Sequence, residues 1–142
     1  MKNITIIAVL AILFSGCATK LTTYQDHELQ SYKSKNLYFE EKSPGAAAGF
    51  GILPGGGSFY TGNYGLGVVN LLLWPVSILW DPISGYDGAE TINYHATKAN
   101  VNRRKNQDMK FIDRELEDGK LERDIYIVKK REIEDRYSSD AL

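Results

Sequence analysis

The chain has 142 residues and a formal net charge of −1, room for one ordinary domain but no strong field of one sign. From Lys98 onward 12 basic side chains face 11 acidic ones, which argues against nucleic acid as a partner and against a polybasic membrane contact. The single cysteine excludes an internal disulfide, and no segment is large enough to bury the core of an ordinary enzyme.

Lys2 supplies a short positive region, and Ile4 to Phe14 supply an apolar core of secretory-signal length, too short to span a bilayer. Ser15-Gly16-Cys17-Ala18 follows. With Phe14 in the place where Leu is preferred, this string resembles the lipobox of bacterial lipoproteins. The resemblance implies that a signal peptidase reads Phe14, Ser15 and Gly16 and removes residues 1–16. Cys17 then carries a thioether-linked diacylglycerol, with palmitate among its acyl chains, as the new N-terminus. Ala18, rather than Asp, favours transfer to the outer membrane facing the periplasm, with the inner membrane as the alternative. No cofactor beyond that covalent lipid is expected.

Residues 17–43 read as a lipidated tether, because their aromatics are scattered among Thr, Gln, Ser, Asn, Lys and Glu without a sustained period. Asn36 to Glu41 could form one short strand. His27 lies beside Asp26 and Glu28, but no second His or Cys stands at ligand spacing, so a solvated histidine is the expectation and no metal site is assigned.

Residues 44–90 form an apolar, Gly-rich block holding all four prolines and both tryptophans, with no charged side chain between Lys42 and Asp81. Gly45 to Leu53 can give a smooth helix that another approaches closely, and Pro54-Gly55-Gly56-Gly57 breaks it. A phosphate-cradling loop would need a preceding strand and a following lysine, and both are missing. Tyr64 to Trp80 is 17 residues long, the lower limit for crossing a bilayer. Its Leu, Val and Ile side chains contribute about −4 kcal/mol to insertion, opposed by Asn70, Pro75, Ser77 and two glycines. Asn70 needs a partner in such surroundings, from a second helix or another copy, and Pro75 should kink the run near Trp74. A buried soluble helix is the competing reading.

The turn residues Pro54, Gly55, Gly56, Gly57, Phe59, Tyr60 and Gly62, followed by Tyr64-Gly-Leu-Gly and an apolar run ending in Trp80-Asp81, resemble the two-transmembrane-helix hairpin (TM-two) domain. That resemblance covers roughly residues 45–90 and implies membrane association or signalling, not catalysis. Ser84 to Gly88 reads as the turn closing the hairpin.

Residues 91–108 are a polar connector in which Arg103, Arg104 and Lys105 mark a solvated face and His95 stands alone. Over 109–137, Met109, Ile112 and Leu116 recur at helical spacing, then Leu121, Ile125 and Val128, then Ile133 and Tyr137. Gly119 marks the corner between two short helices. Gly119, Leu121, Tyr126 and Ile133, with the surrounding acids and lysines, resemble the SHOCT short C-terminal domain, which implies oligomerisation or docking. Residues 138–142 read as a disordered tail.

The fold expected is mainly α: a cleaved lipoprotein signal, a flexible tether, an apolar membrane-associated helical hairpin and a charged C-terminal helical hairpin. No nucleophile, acid-base pair or metal constellation stands out, and no small-molecule substrate is evident. The function expected is that of a non-enzymatic envelope lipoprotein, acting as a structural, assembly or docking factor. Its partners would be the lipid bilayer and either a second copy or another envelope protein. The alternative is a membrane-acting inhibitor or an immunity or exclusion lipoprotein.

Overall fold

In the computed structural model residues 20–139 are described, and Phe14, Ser15, Gly16 and Cys17 lie outside them. Helices α1 (Thr23–Ser34), α2 (Pro44–Phe50), α3 (Gly56–Tyr60) and α4 (Tyr64–Leu72) are followed by a 3₁₀ turn at Val76–Leu79. Two longer helices, α5 (Asp81–Glu117) and α6 (Arg123–Tyr137), complete the chain. No strand occurs among the described residues, in keeping with a mainly α class. The chain divides into two units. The first holds residues 40–93, including the start of α5; the second holds 23–39 and 94–139.

In the first unit, Ser43 caps α2 by accepting a hydrogen bond from the Ala46 N–H at 3.3 Å, and Pro44 occupies the first turn, where its missing donor costs nothing. Asn63 caps α4 in the same way, accepting from the Leu66 N–H at 3.3 Å. The expected 17-residue apolar helix does not form. Helix α4 ends at Leu72, the Trp74–Pro75 peptide is cis, and the chain continues as the 3₁₀ turn. Pro75 has no N–H to continue the ladder, and its ring would clash with a helical carbonyl four residues back. No helix among the described residues is long and apolar enough to cross a membrane. The expected two-helix hairpin is therefore three short helices and a turn, leading into a long helix that absorbs Ser84–Gly88 and the polar stretch 91–108.

Missing side chains let this unit close. A Cβ on Gly57 would lie 2.9 Å from the Asp81 carbonyl oxygen and 3.0 Å from that of Ala47, and one on Gly85 would lie 2.8 Å from the Ala47 carbonyl. Backbones of α2, α3 and the first turns of α5 thus meet at contact distance, as small-residue helix crossings allow. Gly55 has φ 70°, and a Cβ there would be driven into the Gly67 carbonyl. Buried Asn93 holds the strap before α2: its Oδ1 accepts the N–H groups of Glu41 and Lys42, both at 2.8 Å, and its Nδ2 donates to the Lys42 carbonyl at 2.7 Å.

In the second unit the expected tether folds into α1, whose Leu29 and Tyr32 are buried. The expected strand also gives way. At Phe39 the backbone N–H donates to the Thr97 hydroxyl at 3.0 Å, and that hydroxyl donates to the Phe39 carbonyl at 3.2 Å, so a side chain does what a strand would do. Tyr32, Val101, Ile112, Leu121, Ile133 and Tyr137 form the core, with Leu37, Met109 and Tyr126 packed against it.

Gly119 ends α5 at φ 69°: its N–H donates to the Leu116 carbonyl at 3.1 Å and the Lys120 N–H to the Glu115 carbonyl at 2.9 Å, the paired bonds of a Schellman cap. A Cβ at Gly119 would meet nothing within 4 Å, so strain arises from φ alone. Gly119→Ala is expected to lower stability by about 1 kcal/mol in urea unfolding, and an unchanged midpoint would contradict the cap. The stripe expected from Leu121, Ile125 and Val128 breaks up, because Leu121 precedes the first helical residue of α6 and the phase is lost. Leu121 is buried, Ile125 and Val128 are exposed, and α6 buries Ile133 and Tyr137 instead.

Candidate membrane-facing site

The first unit wears its polarity inside out. Ser58, Asn70, Ser77, Asp81 and Asn93 are buried, whereas Ile52, Leu53, Leu72, Trp74, Leu79 and Ile83 are exposed. From Leu71 to Trp80 every residue is exposed except polar Ser77. An isolated exposed apolar residue needs no explanation, but a continuous run of this kind does.

The buried polar groups satisfy one another. Asp81 opens α5, and its Oδ1 accepts from the Ser58 hydroxyl at 2.5 Å and from Asn70 Nδ2 at 2.6 Å; its Oδ2 accepts from the Gly57 N–H at 3.2 Å. Asn70 Nδ2 also donates to Ser58 Oγ at 3.0 Å, and Asn70 Oδ1 accepts from the Trp80 indole N–H at 2.8 Å. Both Asn70 and Asp81 have 0% exposure. The carboxylate also sits where the positive end of the α5 dipole favours an anion. The partner that Asn70 requires is thus within the same chain.

The expected turn residues divide into roles. Gly55 and Gly57 allow backbone approach, Phe59 lies against Gly67, and Gly62 takes φ 80° after α3. Phe59 also stands 6.5 Å, centroid to centroid, from exposed Tyr64. Tyr60 packs 5.4 Å from Phe50 with the Lys42 ammonium 4.8 Å above its ring, and its hydroxyl accepts from the Ser43 N–H at 3.2 Å. Pro54 lies in the bend between α2 and α3, and Gly56 opens α3, its N–H donating to the Leu53 carbonyl at 2.9 Å. Sequence reasoning missed Ser58 and Gly85 and gave Asp81 no role beyond closing the apolar run, although a lone acid ending an uncharged stretch is a readable signal.

The second unit has its own buried charge, also missed. Glu28 Oε2 accepts from the Tyr94 hydroxyl at 2.5 Å and the Lys98 ammonium at 3.0 Å, and Oε1 accepts from the Tyr32 hydroxyl at 3.1 Å. Burial, the largest single influence, pushes the Glu28 carboxyl up, but the hydrogen bonds from Tyr94, Lys98 and Tyr32 together hold it below its ordinary value. Burial and the neighbouring Glu28 charge push Tyr32 up to about 12. Of the expected corner residues in this unit, Gly119, Leu121 and Ile133 stand as described, and Tyr126 donates its hydroxyl to Asp113 at 2.8 Å. His27, His95, Arg103 and Arg104 are exposed, and no group of three or more His, Cys, Asp or Glu is gathered among the described residues. No family model matches the chain, and no curated protein or solved structure matches it.

Proposed function

We propose that the chain is a non-enzymatic envelope lipoprotein, held to a membrane by acyl chains on Cys17, that places its first unit in lipid and uses its charged second unit for assembly or docking. The observation that carries this reading is the inverted polarity of the first unit, in which apolar side chains face outward around a hydrogen-bonded polar centre. In water such a surface drives aggregation, whereas at a bilayer it contributes binding in proportion to the apolar area withdrawn from water. The lipobox-like residues 14–17 supply a second anchor of the kind that durable attachment requires. In the second unit, exposed Phe111, Ile125, Ile127 and Val128 lie among charges that provide solubility, which suits a docking module.

Membrane fractionation of Cys17→Ala beside the natural chain, with palmitate labelling, tests the proposal. The substituted protein should accumulate as unprocessed precursor without label, and labelling at the natural level would refute the lipoprotein reading.

A further inference from the structure

Resting on the membrane reading above, we infer that Leu71–Trp80 is a finger that enters the hydrocarbon of one leaflet and returns on the same side, without crossing. Three observations carry this.

The finger presents no polar side chain to solvent. An amphipathic helix lying on a surface buries one face and solvates the other, but here all of Leu71–Trp80 apart from Ser77 is exposed, with Leu72 77% and Leu79 73% accessible. A protein interface carries about ten hydrogen bonds that fix its register, and Leu71–Trp80 offers no charged side chain to take part. Hydrocarbon makes no such demand.

Much of the backbone is already satisfied, which lipid requires. The N–H groups of Leu73, Val76, Ser77, Ile78 and Trp80 each donate to a carbonyl between Val69 and Ser77, at 2.9–3.3 Å, and Pro75 has no N–H. At the base of the finger, Asn70 and Asp81 are sealed by Ser58 and by the Trp80 indole.

The reach fits one leaflet. Leu71–Trp80 has ten residues, five out and five back from the base, so even fully extended it reaches about 17 Å, set against about 30 Å of hydrocarbon in a whole bilayer. Because the first charged side chains on either side are Lys42 and buried Asp81, insertion should depend little on lipid charge or on salt.

Trp74 and Trp80 are the two tryptophans of the chain and both lie in the finger, so fluorescence reports on it directly. The acylated protein, purified in detergent and added to preformed phosphatidylcholine vesicles, should be quenched strongly by lipids brominated at mid-chain and weakly by aqueous iodide, equally in low and high salt. Leu72→Lys combined with Leu79→Lys, at exposed positions that leave the fold intact, should reduce bromolipid quenching about tenfold, because cations at that depth are strongly disfavoured. Cysteines placed singly at Tyr64 and Tyr86 should both react with an impermeant thiol reagent from outside.

Iodide access without bromolipid quenching would overturn the inference, as would a reactive cysteine on one flank with a protected one on the other, which would mean a full crossing. Protection from both quenchers together with a crosslinked dimer would instead assign the finger to a second copy. Mass spectrometry of the same sample reads acylation separately. Loss of the lipid there refutes the lipoprotein reading while the quenching still decides the finger.

Discussion

Asp81→Ala is expected to destabilise the first unit by about 4 kcal/mol, the largest effect of any single substitution considered for it. The change removes the acceptor for the Gly57 N–H, the Ser58 hydroxyl and the Asn70 amide, all around a carboxylate with 0% exposure. The Gly57 N–H and the Ser58 hydroxyl would then be buried with nothing to accept them, and the Asn70 amide would keep only Ser58 Oγ. It also takes the anion from the start of α5. Asp81→Asn keeps the shape but turns an amide toward donors on at least one side, and is expected to cost about half as much. Urea unfolding in detergent, followed by tryptophan emission that arises from this unit alone, measures both. A loss below about 1 kcal/mol for the alanine variant would mean that the carboxylate is hydrated and the polar centre is not closed.

The same cluster shows what was legible in the sequence. Asn70 in an apolar run demanded a partner, and the residues themselves said that much. They did not say that the partners would be Ser58, 12 positions earlier, and Asp81, 11 positions later. That pairing depends on α3 and the start of α5 approaching closely enough for glycines at 57 and 85 to be necessary, and close approach of backbones leaves no periodic trace. Pro75 was readable as a break, because its chemistry is local. The long extent of α5 was not, because Ser84–Gly88 has turn composition, and the close approach of Gly85 to the Ala47 carbonyl that accompanies its helical form is a non-local contact.

The second unit separates local from non-local signals in the same way. Gly119 announced its corner, since an αL cap is specified by one residue and its neighbours. Helix α1 left little periodic signal: its buried face is Glu28, Leu29, Ser31 and Tyr32, half of it polar, so a search for apolar spacing passes over it. What makes a buried glutamate acceptable there is a lysine and a tyrosine about 70 residues away. The buried polar residues that escaped the sequence reading are thus the ones whose partners are remote, and they mark the two places where each unit has most to lose.

Glu28→Gln is expected to remove about 2–3 kcal/mol from the second unit at neutral pH and to change how its stability depends on pH. Glu28 is depressed in the folded state, so its contribution is present above its ordinary value of 4.5 and is lost as pH falls through the lower folded value. Tyr32 and Lys98 act at the other end. Burial, then the Glu28 charge, raises the Tyr32 hydroxyl from 10.0 to about 12, so the folded state favours its neutral form; that stabilisation is whole below 10.0 and is lost as pH climbs toward 12. Hydrogen bonds to Tyr94 and Glu28 raise Lys98 above its usual 10.5, and its contribution likewise fades on the alkaline side. The natural chain should therefore show a stability plateau from about pH 5 to 10 with losses at both ends. Glutamine cannot carry the charge that restrains Tyr32, so the variant should lose most of the acid-side slope and begin its alkaline loss with a shallower fall. Unfolding monitored by far-ultraviolet circular dichroism at pH 3, 7 and 11 resolves these slopes, and parallel curves for the two proteins would show that Glu28 is not the charge around which this cluster is built.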